Sequence, residues 1–456
     1  MAFTVEQIVR MTDGQLLQGD PSSPISMVHF DSRKIEPQGL FIALTRGARD
    51  GHIFLHDALD KGAGAALISK PESQTQKIKD LSLILVRDTE KAFQHLAQAY
   101  RQQLEIPVIA VTGSNGKTTT KDMLAHLLAK KRNVFKTYKN LNNHLGLPLS
   151  LLQIKQKHEA AVLEMGMSHP GEIDFLAGMA KPSISIITNI GDAHIEYFGS
   201  QAKIAEAKGE LLPHTDPDQF VLLNQDDPFV MNLTRKYSGR IISYSIRRQA
   251  DVYATEIKYT EQGTIFKLHI GNESVSCLLP MFGRHNVSNL LPGAFIAHHF
   301  GCTLEEIKEQ LLSLKISDMR FQIIPGPGGS ILINDAYNAS PTSMKAAIDT
   351  FSQIYPQRKK VVVLGDMFEL GEEAERLHAE IGYHLQKLNM TVLTIGRQAA
   401  VIADVAGGMH AENKREVIEH LEPYLNDAYA ILFKASRGMA LEAVIRHLQQ
   451  TEAERE

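Results

Sequence analysis

The most reactive-looking stretch of this chain is Val111-Thr-Gly-Ser-Asn-Gly-Lys-Thr-Thr-Thr-Lys121. Glycines let backbone N–H groups close around phosphate oxygens, and a helix N-terminus adds a favourable dipole. In such a loop Lys117 reaches the outer phosphates of a nucleotide and the Thr118 hydroxyl ligates Mg²⁺. Gly113, Ser114, Asn115, Gly116 and Thr119 complete the wall. The usual eight-residue pattern begins with glycine, and Val111 stands there instead. Gly113 takes up part of that role, so the loop is a variant form.

Further chemistry sits where apolar runs end. Leu163-Glu164-Met-Gly166 places a carboxylate suited to a nucleotide-bound Mg²⁺, which prefers oxygen ligands. Thr188-Asn-Ile-Gly-Asp-Ala-His194 places a histidine that is a metal ligand or an acid–base group. Asn286 and Asn289, three apart, share a helix face and could meet an adenine edge. N-capping explains Asn286 equally well. Asn334-Asp335-Ala-Tyr337-Asn338 closes another apolar run, where such residues form turns but where open α/β sheets also bind ligands. By spacing alone, Lys208 in Ala205-Glu-Ala-Lys-Gly209 reads as a helix-surface lysine. Asp31-Ser32-Arg33 and Gly47-Ala-Arg-Asp50-Gly-His52 read, by themselves, as turns and a surface ion pair.

The elements that must hold these groups follow from periodicity. Ile106 to Val111 is a buried parallel strand, and Thr118 to Lys131 carries Met123, Leu124, Leu127 and Leu128 at helical spacing. Strands recur at 160–163, 184–188 and 220–223 with helical patterns between them, which implies a doubly wound parallel sheet. Residues 251–279 alternate polar and apolar and contain Gln262-Gly263 and Gly271-Asn272, an antiparallel add-on of hairpins. Before this block, strands at 39–44, 65–68 and 83–86 with helices near 54–61 and 92–104 make a small α/β unit. After it, strands at 331–333, 360–364, 391–395 and 430–433 make a second doubly wound unit without a G-x-G-x-x-G opening. The expected domains are 1–104, 105–318 and 319–456, in keeping with 456 residues. The charged tail from Thr451 to Glu456 is expected to fray.

Composition narrows the class. A hydrophobic content of 43%, a charged content of 22% and a net charge of −4 describe a globular protein without a nucleic-acid or membrane surface. Two cysteines, Cys277 and Cys302, suit a reducing compartment. With no signal peptide or membrane-spanning run visible, the expected location is cytoplasmic.

Taken together and in this order, the motifs resemble those of the Mur ligases, the ATP-dependent amide ligases of peptidoglycan precursor synthesis. The carrying stretches are 112–121, Asn142-Asn-His-Leu-Gly-Leu-Pro148, 163–166, 188–194, Gly283-Arg-His-Asn-Val-Ser-Asn289, Asn334-Asp-Ala-Tyr-Asn-Ala-Ser-Pro341, Leu364-Gly-Asp-Met-Phe-Glu-Leu-Gly371 and Lys434-Ala-Ser-Arg-Gly-Met439. They span nearly the whole chain. The stretches at 334–341 and 364–371 look most like the branch that adds D-alanyl-D-alanine to UDP-N-acetylmuramoyl-tripeptide. Ser340 is a departure, since this branch often has asparagine there.

The resemblance implies three α/β domains: an N-terminal UDP-sugar-binding domain, a central ATPase domain and a C-terminal Rossmann-like domain that binds the dipeptide. It implies catalytic roles for Lys117, His194 and Lys208, with Thr118, Glu164, His194 and Lys208 holding two Mg²⁺ ions, Lys208 as a carbamate formed from CO₂. ATP would meet Asn286 and Asn289 near adenine, and Arg320 and Asp335 from the third domain. The UDP-sugar peptide would meet Asp31, Ser32, Arg33, Gly47, Asp50, His52, Asn142 and Asn143, the last two near the reacting phosphates. Tyr337, Asn338, Ser436 and Arg437 would face the dipeptide. It also implies a monomer. Competing readings are a ligase with another amino donor, similar to folylpolyglutamate or cyanophycin synthetases, and a nucleotide-dependent switch.

Overall fold

The computed structural model describes residues 3–47, 49–71, 78, 80–315 and 318–453. Ala48 of the first polar cluster, 316–317 of the second expected boundary and 454–456 of the tail lie outside the described residues. Thr451 to Ala453, expected to fray, form the last turn of the helix Glu442–Ala453.

The largest sheet runs, in spatial order, Val134–Lys136, Ala160–Glu164, Val108–Thr112, Ile184–Ile187, Phe220–Asn224, Arg240–Ser245, Val252–Thr260, Gly263–Ile270 and Glu273–Leu279. Its first seven strands pair in parallel. The central ones are buried on both faces, which is why they read as unbroken apolar runs. The expected hairpins are present, but they extend this same sheet: Tyr244 pairs in parallel with Val252 before the antiparallel strands begin.

From Val108–Thr112 the chain winds first to one side of the sheet and then returns to continue on the other. The carboxyl end of that strand is therefore a topological switch point, where such sheets open a crevice. Helices Lys117–Leu128 and Arg284–His299 pack together on one face through Leu124, Leu127, Leu290 and Ala294. The other face is covered by Gly146–Leu152 and Glu172–Ala180, whose core continues into the helix Thr89–Gln102 of the first block.

That first block is a five-stranded sheet in the order Gln15–Gln18, Ser82–Leu85, Ala63–Ile68, Gly39–Ile42 and Met27–His29. One face closes on Phe41, Leu55 and Ala58, while Leu40, Leu67 and Ile84 join the large core shared with the central sheet. The last block is a six-stranded sheet in the order Gln322–Pro325, Ile331–Asn334, Tyr429–Lys434, Lys359–Gly365, Thr391–Ile395 and Met409–Ala411. All of its pairs are parallel except that of Gln322–Pro325. Helices Pro341–Gln353 and Ala374–Leu385 cover one face, and Lys414–Leu421 and Glu442–Ala453 the other. Periodicity overlooked short or edge strands such as Gln15–Gln18, Val134–Lys136 and Met409–Ala411, which are too brief or too exposed to form an apolar run. No described helix is long and apolar enough to cross a membrane.

Candidate active site

The phosphate loop turns at two glycines in backbone conformations that side chains rarely adopt, Gly113 at φ +147° and Gly116 at φ +82°. A Cβ on Gly113 would stand 1.9 Å from Thr188 Oγ1, and one on Gly116 2.2 Å from Asn289 Oδ1. The loop is braced from the next strand end. Asn189 accepts from Ser114 N–H at its carbonyl and from Asn115 N–H at Oδ1, both at 2.9 Å, while Thr188 Oγ1 donates to the Asn115 carbonyl at 2.6 Å. The helix Lys117–Leu128 then presents its first-turn N–H groups, which have no partner within a helix.

Lys117 folds back over this loop, donating to the carbonyls of Gly113 (2.7 Å) and Ser114 (3.2 Å). Burial lowers its pKa, Glu164 opposes that shift, and Arg320 adds to it. Thr118 Oγ1 donates to Glu164 Oε2 at 2.9 Å, and Asn142 Nδ2 donates to Glu164 Oε1 at 2.8 Å. Lys121, 1% exposed, lies 3.5 Å from Glu164 Oε2 and 3.7 Å from Asp122 Oδ1.

The last block reaches over this assembly. Arg320, its guanidinium 4.0 Å from the centre of the Tyr337 ring, donates to Thr118 Oγ1 at 3.4 Å. Ser340 N-caps the helix Pro341–Gln353 and donates to Asn115 Oδ1 at 3.3 Å, so the departure at this position still touches the phosphate loop. Thr342 Oγ1 donates to Asp192 Oδ2 at 3.0 Å, and His194 Nδ1 lies against Glu369 Oε2. Asp335 accepts from Lys434 Nζ at 2.7 Å and from Phe321 N–H at 3.1 Å.

Between the blocks lies a cavity of about 600 Å³. Among the expected residues, 114–119, Asn142, Asn143, Glu164, His194, Asn286, Asn289, Arg320, Asp335, Tyr337 and Asn338 line it. Asn286 donates to the Phe282 carbonyl at 2.7 Å from within its helix, so it is not an N-cap. Residues the sequence reading passed over also line it: Asn189, His285, Thr342 and Lys434. Asn189, His285 and Lys434 stand inside motifs already picked out, which was the available signal. Burial holds the His285 pKa down to about 4, so its ring is neutral.

Other expected residues fall elsewhere. Ser436 accepts from the Phe368 N–H at 2.9 Å, and Arg437 pairs with Glu442 at 2.6 Å, both away from the cavity wall. Asp31 N-caps a short 3-10 turn and holds Arg33 through two hydrogen bonds of 2.9 Å, which pull its pKa to about 2. Asp50 accepts from Lys70 at 2.7 Å and from His52 Nδ1 at 2.6 Å, while Ser69 N–H donates to His52 Nε2 at 2.9 Å. Gly47 (φ +54°) follows the strand Thr45–Arg46, and Arg46 reaches His144 beside Asn142 and Asn143. This joins the first block to the cavity rim.

Lys208 overturns its ordinary reading. It lies on the helix Gln201–Gly209 but is 1% exposed, and no carboxylate pairs with it among the described residues. Burial first, and then the charge of Lys117, drive its pKa well below 10.5.

These donors suit Mg²⁺ in the way Mg²⁺ is usually held, by one or two carboxylates together with substrate phosphates. Thr118 and Glu164 offer adjoining oxygens at the phosphate loop. Among the described residues no three His, Cys, Asp or Glu side chains converge into a preformed metal cage.

Residues 111–297 match the Mur ligase middle domain and residues 319–437 the Mur ligase glutamate ligase domain. The UDP-N-acetylmuramoyl-tripeptide–D-alanyl-D-alanine ligase of Bacillus subtilis is 39% identical over 98% of this chain and 98% of its own. MurF from Acinetobacter baumannii superposes with a TM-score of 0.90 at 31% identity over 99% of both chains. MurF from Thermotoga maritima, solved in complex with ADP, superposes at 0.84 and 28% identity over 94% of this chain and 98% of that one.

Proposed function

The chain belongs to the Mur ligase family, and from that premise we propose how its site joins D-alanyl-D-alanine to UDP-N-acetylmuramoyl-tripeptide with ATP. The reaction belongs to peptidoglycan precursor synthesis. A peptide carboxylate is a poor electrophile, because an amine cannot displace oxide from it. Transfer of the γ-phosphoryl group of ATP to that carboxylate gives an acyl phosphate with a good leaving group. The amine of D-alanyl-D-alanine attacks its carbonyl carbon, a tetrahedral intermediate forms, and phosphate departs. Positioning and charge neutralisation dominate such chemistry.

Residues 113–119 cradle the phosphates, and Lys117 leaves its loop carbonyls for the outer phosphate oxygens. Arg320 approaches the same oxygens from the last block, while Asn286 and Asn289 lie on the adenine side. Bound Mg²⁺ would neutralise phosphate charge; Thr118 and Glu164 would hold one ion, and Glu164, His194 and a carbamate of Lys208 would hold a second. A neutral buried amine is the form that adds CO₂, and the environment of Lys208 favours that form. Asn142 and Asn143 lie by the reacting phosphates. The first block, with Asp31, Ser32, Arg33, Gly47, Asp50 and His52, takes the UDP-sugar. The last block takes the dipeptide beside Tyr337 and Asn338. ATP and nucleotide-linked precursors are cytoplasmic metabolites, which supports a cytoplasmic location, and a monomer is the oligomeric state we propose.

The observation that carries this reading is the reach of Arg320 to Thr118 across the gap between blocks. It puts a third-block cation over the loop that carries Lys117 and Thr118. The test is ADP release with each substrate withheld in turn. Release that needs both the tripeptide and the dipeptide is expected; equal release without either acceptor would point to a nucleotide switch.

A further inference from the structure

The stretch Leu364-Gly-Asp-Met-Phe-Glu-Leu-Gly371 has no part in the mechanism above, yet its backbone is held at every step. Asp366 Oδ1 accepts from the N–H groups of Gln398 (3.0 Å) and Ala399 (2.7 Å), and its carbonyl accepts from Ser436 N–H at 3.0 Å. The Met367 N–H donates to His378 Nε2 at 3.0 Å, and the Phe368 N–H to Ser436 Oγ at 2.9 Å. This braced turn presents Glu369, at φ +61°, to the central block, where Oε2 lies against His194 Nδ1. His194 is itself at φ +67°, and the backbone repeats the contact: Glu196 N–H donates to the Glu369 carbonyl at 3.3 Å. Gly371, at φ +55°, keeps the approach open, since a Cβ there would stand 3.1 Å from Glu196 Cγ.

A carboxylate can only accept, so beside Glu369 the favoured tautomer of a neutral His194 ring carries its proton on Nδ1 and leaves the Nε2 lone pair free. Metal-ligating histidines commonly donate their other ring N–H to a carboxylate, which fixes tautomer and direction. We propose that Glu369 is the positioning residue for His194, so that a metal ligand of the central block is aimed only when the last block is docked. The proposal rests on the reading of His194 as a metal ligand. It also gives Ser436 a role away from the cavity, since Ser436 holds the turn that carries Glu369.

Mn²⁺ reports on this without turnover, by electron paramagnetic resonance titration of the free ion against the full-length protein saturated with ADP. Glu369→Ala is expected to weaken Mn²⁺ binding about tenfold or more, with metal-free ADP affinity and thermal midpoint unchanged. Glu369→Gln, whose amide oxygen still accepts from Nδ1–H, should restore binding to within about threefold of the unaltered protein. In turnover, Glu369→Ala should raise the Mg²⁺ concentration for half-maximal rate and leave the KM for the dipeptide unchanged. Glu372→Ala, on the exposed part of the same turn, should bind Mn²⁺ normally. Normal Mn²⁺ binding by Glu369→Ala alongside weakened binding by His194→Ala would overturn the positioning role alone. Normal binding by both would overturn the His194 reading beneath it. Equal losses in Glu369→Ala and Glu372→Ala would overturn the proposal by tracing the effect to the shape of the turn.

Discussion

Replacing Lys208 with methionine is expected to leave the protein as stable as before, or more so, and nearly inactive. The side chain is among the largest that are wholly buried, its exposure is 1%, and no carboxylate pairs with it among the described residues. Taking a charged amine out of water costs free energy, which is why burial lowers its pKa. Methionine has nearly the same length and no ionisable group, so the substitution should recover part of that cost. The folded-state pKa lies well below 10.5, chiefly through burial. Between that value and 10.5 the unfolded chain carries a proton that the folded chain lacks, so stability rises with pH across this window. Lys208→Met should remove that rise. Activity should move the other way. The neutral amine forms a nitrogen–carbon bond with CO₂ and loses a proton, which leaves a carbamate with anionic oxygens. Losing an electrostatic group of this kind costs about 3–4 kcal/mol of transition-state stabilisation, roughly 10²–10³ in rate. Thermal denaturation and phosphate-release assays of ligation give the two numbers, and ¹³C-bicarbonate labelling read by NMR detects the carbamate directly. Lys208→Ala should be partly rescued by short-chain carboxylic acids, whereas Lys208→Arg should not. A Lys208→Met protein that is destabilised but fully active would refute the reasoning and return this lysine to a structural role.

Gly116→Ala should weaken ADP binding about tenfold or more by calorimetry, since a left-handed backbone costs about 1–2 kcal/mol and the new methyl would meet Asn289 at 2.2 Å. Unchanged ADP affinity would mean that the loop does not hold phosphate in this conformation. Arg320→Ala should raise the KM for ATP about tenfold, the worth of a lost charged hydrogen bond, with the fold intact. If residues 105–318 alone used ATP as well as the full chain, the reach of Arg320 would be incidental. His29, buried and lowered to about 4 chiefly by that burial, accepts the Asp31 N–H at 2.9 Å. The unfolded chain takes up its proton near 6.5 and the folded one only near 4, so stability should fall as pH drops through that window, by up to about 3 kcal/mol. His29→Asn, which keeps an acceptor at that place, should flatten this part of the denaturation-midpoint curve against pH.

Much of this protein is legible in local sequence because local rules make it. The phosphate loop needs positive φ at fixed spacing before a helix, and only glycines at those positions with lysine and threonine after them meet the need. The parallel strands are buried on both faces, so they show as unbroken apolar runs wherever they are long enough. The sharing of one core between the first and central blocks was not legible, nor was the identity of the residues facing each other across the cavity. Glu164 meets Thr118 46 positions away, and Arg320 meets it from 202. Lys208 differs from a surface lysine only in what packs around its helix, and His194 meets a carboxylate from the last block. Strand order at the switch point and the docking of the last block decide those contacts. They are set by the burial of whole faces, a long-range free energy that the spacing of residues along one helix or strand does not encode.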